Sequence, residues 1–337
     1  MPSSCAVLYR FTTQPFDSPK GSALILYAKP ALPHPFTILL YDTFWGMTIV
    51  REQKLRHGFG ITRDRAAYRD AHVVVFHLPE WKWMRHFRFP KKLPHQLWVA
   101  MTMECDENYP YQRDANFMRA FDVRMTYHLD ADIPARYFGF YSSWAELSAA
   151  LKKKPAEKNA RAPVVSFISS RVNHSGRRAY ARELMRILDI DSYGKFMRNA
   201  RLARDIGRAS KLETLARYKF TLAFENAIGR DYVTEKFYDP LICGSVPIYL
   251  GAPNIETFAP GDHCYINVND FANPRALAEY VRFLAHDENA YNAYFAWKQK
   301  PLRAGFVDLA MQMDTSSETR LCVWLENNYQ RTIAARA

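Results

Sequence analysis

FTLAFENAIGRDYVTEKFYDPLICGSVPIYLG, residues 220 to 251, decides the fold. Its apolar start, Phe220 to Phe224, has the unbroken hydrophobicity of a strand buried on both faces of a parallel sheet. The run ends in Glu225 and Asn226, and the glycine-bearing loop Ala227 to Tyr232 follows. Val233, Phe237 and Leu241 then recur at helical spacing, with Lys236 near the start and Gly244 as a stop signal. VPIYLG reads as a second strand. The polar groups of this unit fall between the carboxyl end of a strand and the start of a helix, where open α/β sheets bind ligands. A lysine one turn into a helix, near its partial positive charge, suits a phosphate. Solvated loop charges on an ordinary βαβ unit are the competing reading of the same residues.

Working outward, strands and helices alternate through the second half. VVSFISS (Val164 to Ser170) is an apolar strand, RVNHSGRR a basic loop, and YARELMRILDI has helical spacing. IDSYGK is short and strand-like, and KLETLARYKF (Lys211 to Phe220) is helical. CYINVNDF gives a further strand, and NPRALAEYVRFLAHD a helix with Asn273 as cap and Pro274 at its first position. Such alternation predicts a doubly wound parallel sheet. The first half alternates too, with strands at FTILLYD (Phe36 to Asp42), AHVVVFHLPE (Ala71 to Glu80) and QLWVAMTME (from Gln96), and weaker candidates at 5–11 and 23–28. Residues 49–70 suit an exposed helix or loop. Lys152 to Pro163 is polar without an apolar period and reads as a linker between residues 1–151 and 164–300. The end, SSETRLCVWLENNYQRTIAARA, offers at most one short helix. WKWMRHFRFPKK (Trp81 to Lys92) is either an amphipathic surface segment or a wall for sugars. No GxGxxG fingerprint occurs, which disfavours a dinucleotide cofactor.

The 337 residues are 48% apolar and 15% aromatic, enough for two cores and against global disorder. Residues 152–219 hold 18 basic and 6 acidic side chains, an excess equal to the whole net charge of +12. Such a concentration implies an anionic partner: a phosphate ligand, a nucleic acid or an acidic membrane surface. Five scattered cysteines without a CxxC pair favour neither zinc nor a disulfide framework, so reduced thiols and a cytoplasmic location are expected. No apolar run approaches a membrane span.

Phe224-Glu225-Asn226, Tyr232-Val233-Thr234-Glu235-Lys236 and Gly244-Ser245-Val246-Pro247 closely resemble the signature of the α-1,3/4-fucosyltransferases. The resemblance continues through PNIETFAPGDHCYINVNDF to AYFAW (Ala293 to Trp297) and can be followed, more thinly, over about residues 36–300. It implies the GT-B architecture: two Rossmann-like, doubly wound α/β domains facing across a cleft. Residues 1–151 would bind the acceptor, residues 164–300 would hold GDP-fucose, and 301–337 would pack back toward the first domain. The implied reaction moves L-fucose from GDP-β-L-fucose to the 3- or 4-hydroxyl of N-acetylglucosamine or glucose, with inversion. The acceptor would be a galactose-containing glycan of lactose or N-acetyllactosamine type, or a lipopolysaccharide glycan. The membrane anchor and paired cysteines of animal members are missing, which favours a bacterial-type cytoplasmic enzyme. Any peripheral contact with the inner face of the membrane would rest on the basic 152–219 segment.

Inverting transfer needs a base for the acceptor proton and positive charge for the departing diphosphate. The resemblance points to Glu104 as base, with Asp106 and Glu107 as neighbouring alternatives. Lys236 and Arg177, or Arg178 beside it, would grip the diphosphate. Glu235 and Tyr232 would meet ribose or fucose, Asn226 the donor, and Glu225 the donor site or its charge. Trp45 and Trp81 are the acceptor-side candidates. No cofactor or metal ligand set is expected, and a divalent ion would be at most stimulatory. His128, His174 and His263 read as structural or solvated. Three rival functions remain: the same fold with another GDP-hexose, a basic polyanion- or nucleic-acid-binding module, and a sugar-binding protein that has lost catalysis. The resemblance argues against nucleic acid.

Overall fold

The computed structural model describes residues 32, 33, 35–43, 58–83, 89–141 and 143–336. The strand candidates at 5–11 and 23–28, and Trp45, lie outside them. Phe36–Leu40 (β1), Phe59–Thr62 (β2), Val73–His77 (β3), Leu97–Thr102 (β4), Val123–Thr126 (β5) and Ile133–Pro134 (β6) form one sheet in the order β2-β1-β3-β4-β5-β6. Every pairing is parallel, with Ile38 opposite Val73 and Val75 opposite Val99. Alternate residues serve opposite faces: Ile38, Val73 and Val99 join one core, Leu39, Val74 and Trp98 the other. Central strands β3 and β4 are buried at every position, which is why they read as unbroken apolar runs. β2 was not anticipated within 49–70, because its four edge residues, three half-buried and Gly60 exposed, show no periodicity and take their conformation from pairing with β1. The short α1 (Ala115–Met118) and α2 (Trp144–Lys152) follow β4 and β6.

Val164–Ser166 (β7), Ile190–Ser192 (β8), Phe220–Phe224 (β9), Val246–Leu250 (β10) and Ile266–Asn267 (β11) form a second parallel sheet, ordered β11-β10-β9-β7-β8. Its helices are α3 (Arg177–Leu184), α4 (Arg208–Ala216), α5 (Glu235–Cys243), α6 (Pro274–His286) and α7 (Glu288–Ala293). Ala181 and Leu184 of α3 pack with Leu277 and Val281 of α6 over Phe220, Leu222 and Phe224. On the other face Phe237 and Leu241 of α5 cover Ala223 and Tyr249. Each fully buried phenylalanine contributes about 1.5–3 kcal/mol. Together the two sheets make the expected α/β, GT-B-type architecture.

Where the sequence offers at most one short helix at its end, the structure has an 18-residue helix, Ser317–Ala334 (α9), after Ala304–Met311 (α8). Ser316 caps α9 by accepting from the Thr319 amide. Its Leu321, Cys322, Leu325 and Tyr329 pack into the core of the first sheet beside Ile38, Val73 and Leu97. Five apolar residues in a row, Leu321 to Leu325, followed only by Tyr329, Ile333 and Ala334, give no clean helical stripe in isolation. The first sheet supplies the partner that makes it helical. No described helix is long and apolar enough to cross a membrane.

Both sheets share one winding. The second strand lies outside the first and the third lies on the first strand's other side, so growth reverses between β1 and β3 and between β7 and β9. Crevices open at the carboxyl ends of strands where the winding reverses. In the second sheet this point is flanked by the loops entering α3 and α5.

Candidate functional site

The β7–α3 and β9–α5 loops are knitted together by Ser175, whose amide donates to Asn226 O (3.1 Å) and whose hydroxyl donates to Glu225 O (2.6 Å). Arg177, the first residue of α3, is only 2% exposed. Its Nη1 donates to Phe224 O (3.0 Å) and its Nη2 to Val172 O (3.2 Å). Its buried Nε has no partner among the described residues. Burial lowers the pKa of this guanidinium, and Glu225, Tyr232 and Glu235 oppose that fall. Arg178 turns outward instead, with its guanidinium 5.2 Å from the centre of the Phe196 ring. Of the two arginines, Arg177 stands beside the α5 carboxylates.

Thr234 caps α5, its side chain accepting from the Lys236 amide. The same side chain is tied down by Glu225, whose Oε1 accepts from the Thr234 amide and hydroxyl, both at 2.8 Å. Lys236 Nζ donates to Thr234 Oγ1 (2.9 Å) and lies 3.3 Å from both Glu225 Oε2 and Glu235 Oε1. The Lys236 side chain keeps 27% of its surface exposed, while that of Glu225 keeps none. Burial works against the ammonium, but Glu225 and Glu235 outweigh it and hold the Lys236 pKa above the usual lysine value. Burial also raises Glu235, yet Lys236 and Lys211 prevail and its carboxyl sits below the ordinary range. In Glu225 burial wins and the pKa is raised, despite Lys236 and the Thr234 bonds.

Two expectations need correction here. Glu225 is closed off from the crevice, both oxygens being spent on Thr234 and Lys236, so it is not a donor contact. Tyr232, expected against ribose or fucose, is 2% exposed and faces the first half instead. Its ring meets Tyr127 (5.2 Å between centroids) and Tyr137 (5.9 Å), and it is hydrogen-bonded to Tyr137. An aromatic hydroxyl beside an apolar neighbour gains more from that junction than from solvent.

Glu104 approaches from the first half, just beyond β4. Its amide is fixed by Thr102 Oγ1 (3.0 Å), while its carboxylate has no hydrogen-bond partner among the described residues. The carboxylate lies within electrostatic reach of Lys236, Glu235 and Glu225. Burial pushes its pKa up, Lys236 pulls it down, and Glu235 and Glu225 push it up again, leaving it raised. The neighbouring acids are engaged elsewhere. Asp106 accepts from the Tyr127 hydroxyl (3.1 Å), and Glu107 is forked onto Arg113 through both guanidinium nitrogens. Of the three, Glu104 alone faces the cations of the second half.

The halves meet closely around this point. Asn108 Nδ2 donates to Asn226 Oδ1 (3.1 Å), and the Leu129 amide donates to Asp231 Oδ2 (3.1 Å). His174 Nδ1 lies 2.8 Å from Glu107 O, and His128 sits between Asp106 (3.7 Å) and Asp231 (3.5 Å). His263 stacks on Tyr294, away from the junction. A Cβ on Gly229 would fall 2.5 Å from Cys105 Sγ, so only glycine lets this loop seat on the first half. Sequence reasoning missed Thr234, Asn108, Asp231 and Gly229. The threonine's place before Glu235-Lys236 fits an N-cap and could have signalled its role, whereas the other three are visible only as packing across the junction.

Trp81, expected to line an acceptor wall, is 8% exposed. It stacks on Phe89 with ring centres 4.3 Å apart and donates its indole N–H to Asp42 (3.1 Å), so it belongs to the first core.

Comparison with known proteins agrees with this geometry. Residues 156–335 match the profile of the C-terminal part of glycosyltransferase family 10 (fucosyltransferase), and residues 33–138 match that of the fucosyltransferase N-terminal part. The chain is 34% identical to alpha-(1,3)-fucosyltransferase B of Drosophila melanogaster over 266 residues, 75% of this chain and 59% of the relative. A fucosyltransferase-like protein of Arabidopsis thaliana is 37% identical over 234 residues, 69% of this chain and 44% of that one. GDP-fucose protein O-fucosyltransferase 3 of Homo sapiens is 40% identical over 156 residues, 44% of this chain and 33% of that protein. The chain thus spans between a third and three-fifths of the length of these relatives. The fold is similar to a crystal structure of an alpha1,3-fucosyltransferase with GDP, at TM-score 0.53 and 17% identity over 92% of this chain and 93% of that one. With its two matched parts covering most of its length, the chain belongs to glycosyltransferase family 10, the fucosyltransferases.

Proposed function

We propose that this chain transfers L-fucose from GDP-β-L-fucose to the 3- or 4-hydroxyl of an N-acetylglucosamine or glucose residue in a galactose-containing glycan, with inversion. One observation carries the reading: Glu104, whose carboxylate has no hydrogen-bond partner among the described residues, is electrostatically coupled to Lys236 and Glu235 across the junction of the two sheets. The acceptor oxygen forms a bond to C1 of fucose as the bond from C1 to the diphosphate breaks, and Glu104 takes the acceptor proton. A carboxylate raised toward neutrality by burial is a stronger base than a solvated one, and it has no internal hydrogen bond to give up. Lys236 meets the charge that builds on the departing GDP, at a helix start already favourable to anions, and the buried Arg177, its Nη atoms held by the Phe224 and Val172 carbonyls, adds positive charge from behind. Glu235 lies where a ribose or fucose hydroxyl would reach it, and Asn226 borders the same crevice. A divalent ion is at most stimulatory in this scheme.

A second acceptor class has a specific observation behind it. The matched relatives include proteins named for O-fucosylation of protein, at 40–42% identity over 156 residues. Incubation with GDP-fucose or GDP-mannose, and with lactose, N-acetyllactosamine, the isomeric type-1 disaccharide or a folded protein domain, separates the readings. The expected product is an α-fucosylated disaccharide formed from GDP-fucose alone, identified by linkage and anomeric analysis. Modification of the protein domain only would replace the glycan reading, and transfer from GDP-mannose would refute the donor.

A further inference from the structure

Glu225 is a fully buried carboxylate that the reaction does not use directly, and its surroundings define what it does. It is placed at the carboxyl end of β9 with no room to move. A Cβ on Gly251 would lie 2.7 Å from its Cγ, so the chain passes it at closest approach there. From α5 it meets Thr234, Lys236 and Glu235; from α3, Arg177; from β10, Tyr249; and from the junction, Tyr232 and Tyr137. Tyr238 of α5 also senses its charge. Arg177 and Lys236 act on one another as like charges. Glu225 is a buried counter-charge to both, with its Oε2 3.3 Å from Lys236 Nζ.

We infer, building on the roles proposed for Lys236 and Glu104, that Glu225 is a positioning residue: its carboxylate is the shared counter-charge that fixes the Lys236 ammonium and couples it to Glu104 across the two halves. It caps α5 through Thr234 with one oxygen and orients Lys236 with the other. Glu104 also feels Glu225, after burial, Lys236 and Glu235, so the same buried charge reaches both ends of the site. Glu104 is further flanked by the phenols of Tyr109 and Tyr137, which carry no charge at working pH.

The test is a pair of pH titrations on the full chain carrying Glu225→Gln, whose amide oxygen still accepts from Thr234. In the free protein, trace acetylation of lysine amines is followed by mass spectrometry. The labelling midpoint of Lys236 is expected to fall by at least about one pH unit, while that of the exposed Lys300 stays where it was. In turnover of GDP-fucose, both limbs of the kcat/KM profile are expected to move together to lower pH, because losing one negative charge makes every neighbouring acid release its proton more readily. A folded Gln variant with an unmoved Lys236 midpoint overturns the inference. So does a drop in amplitude with both limbs fixed, which is what a merely structural residue would give. If the Gln variant does not fold, Glu225→Asp withdraws the carboxylate by one methylene and lowers the midpoint part of the way, and an unmoved midpoint there is equally decisive. A protein that binds no GDP would refute the proposed function, yet the acetylation titration would still decide the role of Glu225.

Discussion

Replacing Gly229 with alanine tests whether the two halves are held in register by direct contact. The added Cβ would stand 2.5 Å from Cys105 Sγ, against an ordinary separation of about 3.5–4.0 Å, so the loop must retreat by roughly 1 Å. Overpacking of this kind costs about 1–3 kcal/mol, which in a chain of this size lowers Tm by roughly 1–4 °C. The loop leads into Thr234 and Lys236, while Cys105 adjoins Glu104, so the same retreat separates base from donor. A misplacement near 1 Å can cost about a hundredfold in rate. Turnover of GDP-fucose is therefore expected to fall about ten- to a hundredfold. GDP affinity by titration calorimetry should change less than about twofold, because the diphosphate grip proposed above lies in the second half. The double variant Cys105→Ala, Gly229→Ala removes the obstructing sulfur and should recover most of the lost rate relative to Cys105→Ala alone. A Gly229→Ala protein with wild-type Tm and turnover would refute the reasoning, as would a double variant with no recovery.

Two further outcomes follow from buried charge. Lys236→Ala removes the cation at the helix start and should weaken GDP binding about ten- to a hundredfold, measured by calorimetry at fixed ionic strength; unchanged affinity would take the diphosphate away from this residue. Asp42 is pushed up to about 6 from 3.8 by burial, despite hydrogen bonds from Trp81 and the His77 amide. Its folded pKa lies above its unfolded one, so its contribution is most favourable below about pH 4 and is lost as pH rises toward 6, by roughly 3 kcal/mol. Denaturant titrations should show that fall in the wild type and a flatter profile in Asp42→Asn, and identical slopes would contradict the burial argument.

What the sequence made legible was the local grammar. β9 and α5 follow from an apolar run, a capped start and a glycine stop within one stretch, and Lys236 and Glu235 stand where that stretch puts them. Two kinds of information were missing. Accessibility depends on what arrives from elsewhere: Tyr232 and Trp81 look like ligand-facing aromatics, but Tyr127, Tyr137, Phe89 and Asp42 come from distant segments to bury them. Long-range pairing likewise decides weak elements. β2 exists because β1 offers an edge, and α9 because the first sheet offers an uncovered face. Glu104 shows both sides of this. The resemblance already favoured it over Asp106 and Glu107, and the partners those two acids find give that preference its physical reason.

The central claim is that Glu104 is the base of a fucosyl transfer, and its amide variant tests it most directly. With GDP-fucose and acceptor saturating, Glu104→Gln should lower kcat by about 10²–10⁴-fold while GDP affinity stays within about twofold of the wild type. Wild-type turnover by that variant would contradict the account, because neither Asp106, held by Tyr127, nor Glu107, held by Arg113, is placed to take over.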